Sequence, residues 1–452
     1  MLRVTLFFPV VDVRKRCCQM ALAAGLTVTL MLCGCSEDRS GSVPKSSGDG
    51  GAGETPTVAA DDPAAVAALT AAGFKLTANQ AGNVTAVSMA FNEDQSDQLS
   101  HLRGLNSLTR IQFTGPALTD NGLDVIAELP NLKQLNISDS RAADGALKAC
   151  EGLQKLEVLQ LRRSAVTNDG LISLSGLPVL RVVDVRNTKV SDEGLEHLAK
   201  ISSLLDLQVE KCDVTDAGVR AISHLSLKSI NLNFCTSISN QTLKILGGMS
   251  SLTAIQLSET EVTDEGMQAV ANLRKLKRLR LTGCDVTHAG FVHLAGIETI
   301  ERLELRETSL DVEGLEIISK LPHVSFLDIS ECRLLRKGEL SPISRMTSLK
   351  TLVCRYTRMD DAVFNTLDGL TKLEELNLSS TSITDESVKT LLKLTKVKRL
   401  NVGATQLSDE GFRQLSAMPE LKWLNVANTS IGFDVIDELK AAREGLEVEE
   451  FE

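Results

Sequence analysis

From Val84 to the end of the chain, apolar residues recur with a long period. Aligned on Leu-x-x-Leu-x-Leu, this region divides into fifteen units, the first degenerate, beginning at Val84, Leu108, Leu132 and so on to Leu421. They are spaced by 24 residues except for one 23 and two 25s. With the first apolar residue as position 1, positions 4, 6, 11, 16, 19 and 22 are also apolar; in the unit from Leu180 these are Val183, Val185, Val190, Leu195, Leu198 and Ile201. Alternation at positions 4 and 6 predicts a short strand with one buried face. The three-residue step from 16 to 22 predicts a short helix or 3₁₀ segment. One such unit cannot bury its apolar side alone, so the units must stack. Strands stack about 4.8 Å apart whereas helices need about 10 Å. The helical side therefore splays outward, and a parallel sheet lines a concave face.

The polar positions are as regular. Phrases such as "TKVSDEGL" (188–195), "CDVTDAGV" (212–219) and "TEVTDEGM" (260–267) repeat with small edits. Their first letter, position 9, is almost always Ser, Thr or Cys, with Pro116 the exception. A column inside a tight bend has room only for a small side chain, and its polar atom needs a backbone partner. Position 12 is mostly Ser or Thr, which caps a helix N-terminus. Acidic residues follow, which that terminus favours. Gly at position 15 permits close approach of neighbouring turns. The phrase is thus a structural device. Residues 61–82 read as an N-terminal cap of one helix and a short strand, 83–432 as the repeats, and 433–452 as a C-terminal cap with a last helix and a charged strand.

These repeats resemble the leucine-rich repeat superfamily. The "TD-x-GL" phrase is most similar to its cysteine-containing, ribonuclease-inhibitor-like subclass, found in F-box proteins and in exported bacterial repeat proteins; no separate F-box-like stretch is present. The resemblance implies an α/β solenoid, a curved horseshoe with a parallel sheet on the concave face and short helices on the convex face.

Composition adds a targeting segment to this picture. Arg14, Lys15 and Arg16 precede the uncharged run "MALAAGLTVTLML" and then "LCGC", Leu32–Cys35. The run is too short for a membrane span. The sequence "LCGC" resembles the lipobox of bacterial lipoproteins, which implies a signal peptide over 1–34 and a lipid anchor on Cys35; the rival reading is an ordinary signal peptide or a single anchoring helix. Residues 35–60, rich in Gly, Ser and Pro, read as a flexible linker of roughly 25–30 Å r.m.s. span. The implied location is the cell envelope, on the outer membrane or the periplasmic face of a membrane. The leader holds Arg3, Arg14, Lys15 and Arg16 against Asp12, so its removal takes the net charge from −11 to −14. An acidic chain disfavours nucleic acid as a partner.

Candidate chemistry is sparse. Six cysteines follow Cys35, without CxxC spacing. Cys212, Cys235, Cys284 and Cys332 fall at position 9 and read as buried small residues. A Cys212–Cys235 bridge is conceivable between adjacent units, but in-register side chains about 4.8 Å apart exceed the Cβ separation a relaxed bridge prefers. No HxxxH or HExxH pattern supports zinc. The recurring Asp at position 13 offers calcium ligands, but capping accounts for it. No metal, no cofactor and no catalytic motif is expected.

The informative surface is the concave one, onto which positions 3, 5 and 7 project. Position 5 carries nine Asn or Gln, the pattern of a hydrogen-bonded amide ladder along the sheet. Positions 3, 5 and 7 carry nine Arg against six acids in an otherwise acidic protein. Arg278, Arg280, Arg302 and Arg306 fall on two adjacent units, with Phe326 next door; Tyr356 and the sole tryptophan, Trp423, also project from the inner strand region. Arginine and aromatics are typical interface anchors. The four arginines are expected to read an anion on an acidic protein, peptide or glycan. Arg278 and Arg302, about 4.8 Å apart, repel unless Glu304 or a ligand offsets them.

Three function classes follow. The first is a membrane-anchored binding protein recognising a protein, peptide or glycan on its concave face. The second is an enzyme or ligase-like effector with dispersed catalytic residues, against which the absence of an appended domain weighs. The third is a structural envelope spacer.

Overall fold

The computed structural model describes residues 59–450. Here the chain forms one open 17-stranded sheet. The helix Pro63–Ala71 leads in, started by Asp62, whose side chain accepts from the Ala64 N–H. Strand β1 (Lys75–Ala78) then pairs antiparallel with β2 (Val84–Ala90). Asp61 accepts from the backbone N–H of Val84 and of Asn106, tying the lead-in segment to both ends of the first unit. Phe74, Phe91 and Phe113 meet edge to face beneath it, with ring centroids 5.3–5.9 Å apart.

From β2 onward every strand is parallel to the one before. Most are three residues long, and equivalent leucines lie opposite each other, as in Leu279↔Leu303 and Leu303↔Leu327. The strands return through short α or 3₁₀ helices such as Asp192–Leu198 and Gln268–Asn272. Positions 4, 6, 16 and 19 form a continuous aliphatic core; Val183, Val185, Leu195 and Leu198 are all fully buried. After the helix Phe433–Ala442, the strand Glu447–Glu449 closes the array, and Arg443 donates to the carbonyls of Pro419, Leu421 and Ser416.

The position-9 column has the polar partners its chemistry requires. Thr188, Thr260 and Thr308 donate to the carbonyl three residues back in their own unit, at 2.6–2.7 Å. The cysteines reach across instead. Cys212, Cys284 and Cys332 donate from Sγ to the same carbonyls of the preceding unit, those of Val185, Leu257 and Leu305, at 3.0–3.1 Å. All six cysteines among the described residues are free and buried. One residue earlier, at position 8, the chain turns with positive φ. Twelve residues that are not glycine do so, among them Asp139, Glu307, Glu331 and Tyr356. Nothing in the apolar period marked that column.

The aspartates of the phrase do more than face a helix end. Asp144, Asp192, Asp216 and Asp264 each take the backbone N–H and the hydroxyl of the position-12 residue in the next unit, at 2.5–3.0 Å. Asn168 and Asn240 make the same link, the carbonyl oxygen accepting from the backbone and the amide donating to the hydroxyl. Glycine at position 15 is the consequence. A Cβ on Gly194 or Gly266 would lie 2.7 or 2.6 Å from the side-chain oxygen of Asn168 or Asn240, and one on Gly218 would collide with Asp192. Where the glycine is replaced, Thr242 and Ser387 turn their hydroxyls onto Asp216 and Asp361.

This staple lapses once. Between Thr287 and Asp360 the equivalent residues are His288 with Asp311, Val312 with Leu335, and Arg336 with Asp360. The first pair is joined by an ion pair, the middle pair is apolar, and in the third it is Lys337, next to Arg336, that reaches Asp360. Here His288 Nδ1 lies 2.6 Å from Asp311 Oδ2 and Lys337 pairs with Asp360 at 3.2 Å. The isolated bridges that join neighbouring turns also stop at Asp285 and resume at Asp360. The 25-residue unit from Val324 buries Leu335 and leaves Leu334 half exposed.

Candidate functional site

The register sets the concave rows. At position 3, Arg278 lies beside Arg302 and Arg302 beside Phe326; at position 5, Arg280 lies beside Glu304 and Glu304 beside Asp328. Arg278, Arg280, Arg302 and Phe326 therefore share three consecutive strands, and Arg306 follows the second of them. Their charges are largely answered from within. Glu304, whose side chain is 14% exposed, pairs with Arg280 and takes a 2.6 Å hydrogen bond from Arg302 Nε. The Arg302 guanidinium also lies over the Phe326 ring, 3.4 Å from its centroid. Arg306 reaches Glu307 at 2.8 Å and Glu331 at 2.9 Å. Arg278 alone of the four has no ion pair among the described residues. Except at Arg278, an anion arriving at this cluster must displace a carboxylate already in place.

Glu307 and Glu331 were invisible to the reading of positions 3, 5 and 7, because they occupy the position-8 turn. Burial pushes the Glu331 carboxyl up, and the neighbouring Glu307 adds to this against the pull of Arg306. Burial also raises Glu307, but the hydrogen bond and the charge of Arg306, with help from Glu331 and Arg333, together outweigh it and hold that group below the usual carboxylate range. Asp328 and Asp206, deeper on the same face, are raised chiefly by burial.

Tyr356 is not on the inner strand. It follows the strand Thr351–Val353 in the positive-φ turn, on the rim, 53% exposed and with the Arg355 guanidinium 4.8 Å from its ring centroid. Trp423 opens the strand Trp423–Asn425, four strands beyond Phe326 and so about 19 Å away. The structure thus separates Trp423 from the arginine cluster. Trp423 has its own partner, Arg399, whose guanidinium lies 4.3 Å from the indole centroid. A concave pocket of about 180 Å³ opens here, walled by Thr351, Val353, Glu375, Arg399 and Trp423 over Leu352 and Leu376.

The expected amide ladder is mostly absent. Asn231 donates to Gln208 at 2.9 Å, but Asn377, Asn401 and Asn425 turn their oxygens onto the backbone N–H two residues on, at 3.0 Å. The asparagine side chain is short, and the nearest unpaired donor as the chain leaves the strand is its own. On the convex side His288, Asp311 and Glu313 bring three possible ligand atoms within 4.8 Å of one another. Both Asp311 oxygens are already engaged, one by His288 and one by the Gly314 N–H that it caps. Cys35 lies outside the described residues, and no described helix is long and apolar enough to cross a membrane.

Four stretches, 176–199, 200–223, 248–271 and 369–392, match the family model described as leucine-rich repeat. Each is one 24-residue period of an array whose strands repeat in register. The chain carries leucine-rich repeats. Among curated proteins no sequence matches it. Among solved structures, this leucine-rich repeat protein is similar to an internalin of Listeria monocytogenes. That chain is 16% identical, with 80% of this chain and 94% of that chain covered and a TM-score of 0.51, a likeness of fold. A leucine-rich repeat protein of Leptospira interrogans is 15% identical over 84% of this chain and 93% of its own, with a TM-score of 0.44.

Proposed function

We propose that this leucine-rich repeat protein is exported, held to a cell-envelope membrane by lipid on Cys35, and acts by binding a protein, peptide or glycan on its concave face. One observation carries the reading: a long parallel sheet presents in-register rows of arginine and aromatic side chains on its open face. It holds two guanidinium–aromatic stacks, Arg302 on Phe326 and Arg399 on Trp423. Arginine and tryptophan on a rigid concave scaffold supply area and directional donors without an ordering cost. The chemistry assigned to the protein is recognition. Catalysis is not proposed.

Two measurements test the proposal. Labelled fatty acid should be incorporated by the wild type and not by Cys35→Ser; equal incorporation removes the anchor. The mature protein, used as bait in envelope extracts and footprinted with hydroxyl radicals, should show protection at positions 3, 5 and 7 of consecutive units. Protection confined to the helical side would place recognition on the convex face and end the concave reading.

A further inference from the structure

Resting on that reading, we infer that the pocket between Glu375, Arg399 and Trp423 is a carboxylate-binding subsite that takes an acidic side chain from an extended segment of a protein partner. The argument begins with which concave arginines are occupied. Arg186 is paired to Asp184 at 2.6 Å, Arg162 to Asp139 at 2.9 Å, Arg280 and Arg302 to Glu304, and Arg306 to Glu307 and Glu331. Arg110, Arg278, Arg355 and Arg399 have no ion pair among the described residues, and of these Arg399 lines the pocket. Glu375 lies directly opposite Arg399 on the neighbouring strand, yet no ion pair joins them, and the guanidinium lies over the Trp423 ring. A guanidinium stacked on an aromatic ring keeps its N–H groups for a bidentate acceptor, and those of Arg399 have no acceptor among the described residues.

The surroundings ask for an acceptor too. Asn377, Asn401 and Asn425 spend their oxygens on backbone, so each leaves an amide NH₂ without an acceptor among the described residues, in a row beside Arg399. Beyond them the strand exits carry only Ser379, Gly403 and Ala427, which keeps the floor low enough for a chain to lie across the sheet. Glu375 gives the subsite a direction. It repels a second carboxylate on its own side, so the acidic group enters from the Trp423 side. A protein segment fits better than a sugar, because Arg399 already covers a face of the only indole on which a sugar ring would stack.

Trp423 is the only tryptophan of the chain, so its emission reports on this pocket alone. The mature protein is titrated with capped peptides of alternating alanine with glutamate, glutamine or lysine, and with polygalacturonate as a carboxylated glycan. The glutamate peptide should shift the emission saturably, and added salt should weaken it. Arg399→Ala should weaken binding roughly tenfold or more, the loss expected for a charge-assisted pair. Glu375→Gln should tighten it, a change opposite in sign that a merely structural role would not produce. Far-UV circular dichroism of both variants checks folding. No emission change with the glutamate peptide, an equal response to the glutamine peptide, or unchanged affinity in Arg399→Ala overturns the inference, and a stronger response to polygalacturonate overturns the protein assignment. A partner captured by the mature chain whose footprint lies elsewhere on the concave face would sink this subsite and leave the broader reading standing.

Discussion

Asp216 is the most heavily used of the inter-unit staples, and its removal tests whether these contacts hold the array together. Its Oδ1 accepts from the backbone N–H of Ser239 at 3.0 Å and of Thr242 at 3.1 Å and from the Thr242 hydroxyl at 2.5 Å, while Oδ2 accepts from the Ser239 hydroxyl at 2.5 Å. In Asp216→Ala the two hydroxyls can rotate to other acceptors or to water, but the two backbone donors are held by the solenoid. With roughly 1.5–3 kcal/mol for each hydrogen bond to a charged acceptor, and partial recovery by water, the loss is about 3–4 kcal/mol. Asp216→Asn should cost only about 1 kcal/mol, because one oxygen still meets the backbone and the amide can donate to Ser239, the arrangement native at Asn168 and Asn240. Burial alone would raise the Asp216 pKa, but the bonds from Ser239 and Thr242 outweigh it and hold it below its ordinary value. The stability from this carboxylate is therefore complete above the unfolded-state value near 3.8 and is lost as pH falls through the lower folded value. The asparagine variant should lose that part of the acid dependence. Urea unfolding should be paired with amide exchange at Ser239 and Thr242, since a repeat array can unfold in parts. If Asp216→Ala lies within 1 kcal/mol of wild type, or if the asparagine variant falls as far as the alanine one, the staple argument is wrong.

Three further outcomes are expected. Gly218→Ala should destabilise by about 1–3 kcal/mol, the usual range for overpacking, since its Cβ would strike Asp192; an unchanged urea midpoint would refute this. The thiols of Cys235 and Cys332, pushed up to about 12 by burial, should react with a thiol probe at pH 8 only after denaturation, without reductant; a need for reductant would show a disulfide. Within the repeats, limited trypsin should cut first after Arg333, Arg336 or Lys337, where all three are exposed and both the staple and the turn-to-turn bridges lapse; a first cut elsewhere among the repeats would show that the lapse does not loosen the array.

Much of the architecture was legible because it is periodic. A 24-residue apolar repeat with alternation at positions 4 and 6 requires stacked strands on one side and short helices on the other, and the leucine register follows from it. The small column at position 9 was legible for the same reason, since a buried bend admits Thr188 and Cys212 but nothing larger. The partners of the polar residues were not. Asp192 and Thr215 are 23 residues apart, and only stacking places one carboxylate over the next unit's hydroxyl. Glu304 was legible as a counter-charge to the cluster, but only the structure decides that it pairs with Arg280 and Arg302 and leaves Arg278 without it. Glu307 and Glu331 escaped notice because the positive-φ turn that carries them to Arg306 has no hydrophobic signature.

By itself, then, the sequence determined the unit, its apolar side and the stacking, because hydrophobic burial acts through local spacing and repeats with it. Only the tertiary structure decided which charges are spent and which remain. Side-chain pairing depends on distances of a few ångströms between residues more than twenty positions apart, and on competition such as that between Glu375 and Trp423 for one guanidinium. Arg399, stacked on Trp423 and without an ion pair among the described residues, stays open on a face where five of the nine arginines are already paired.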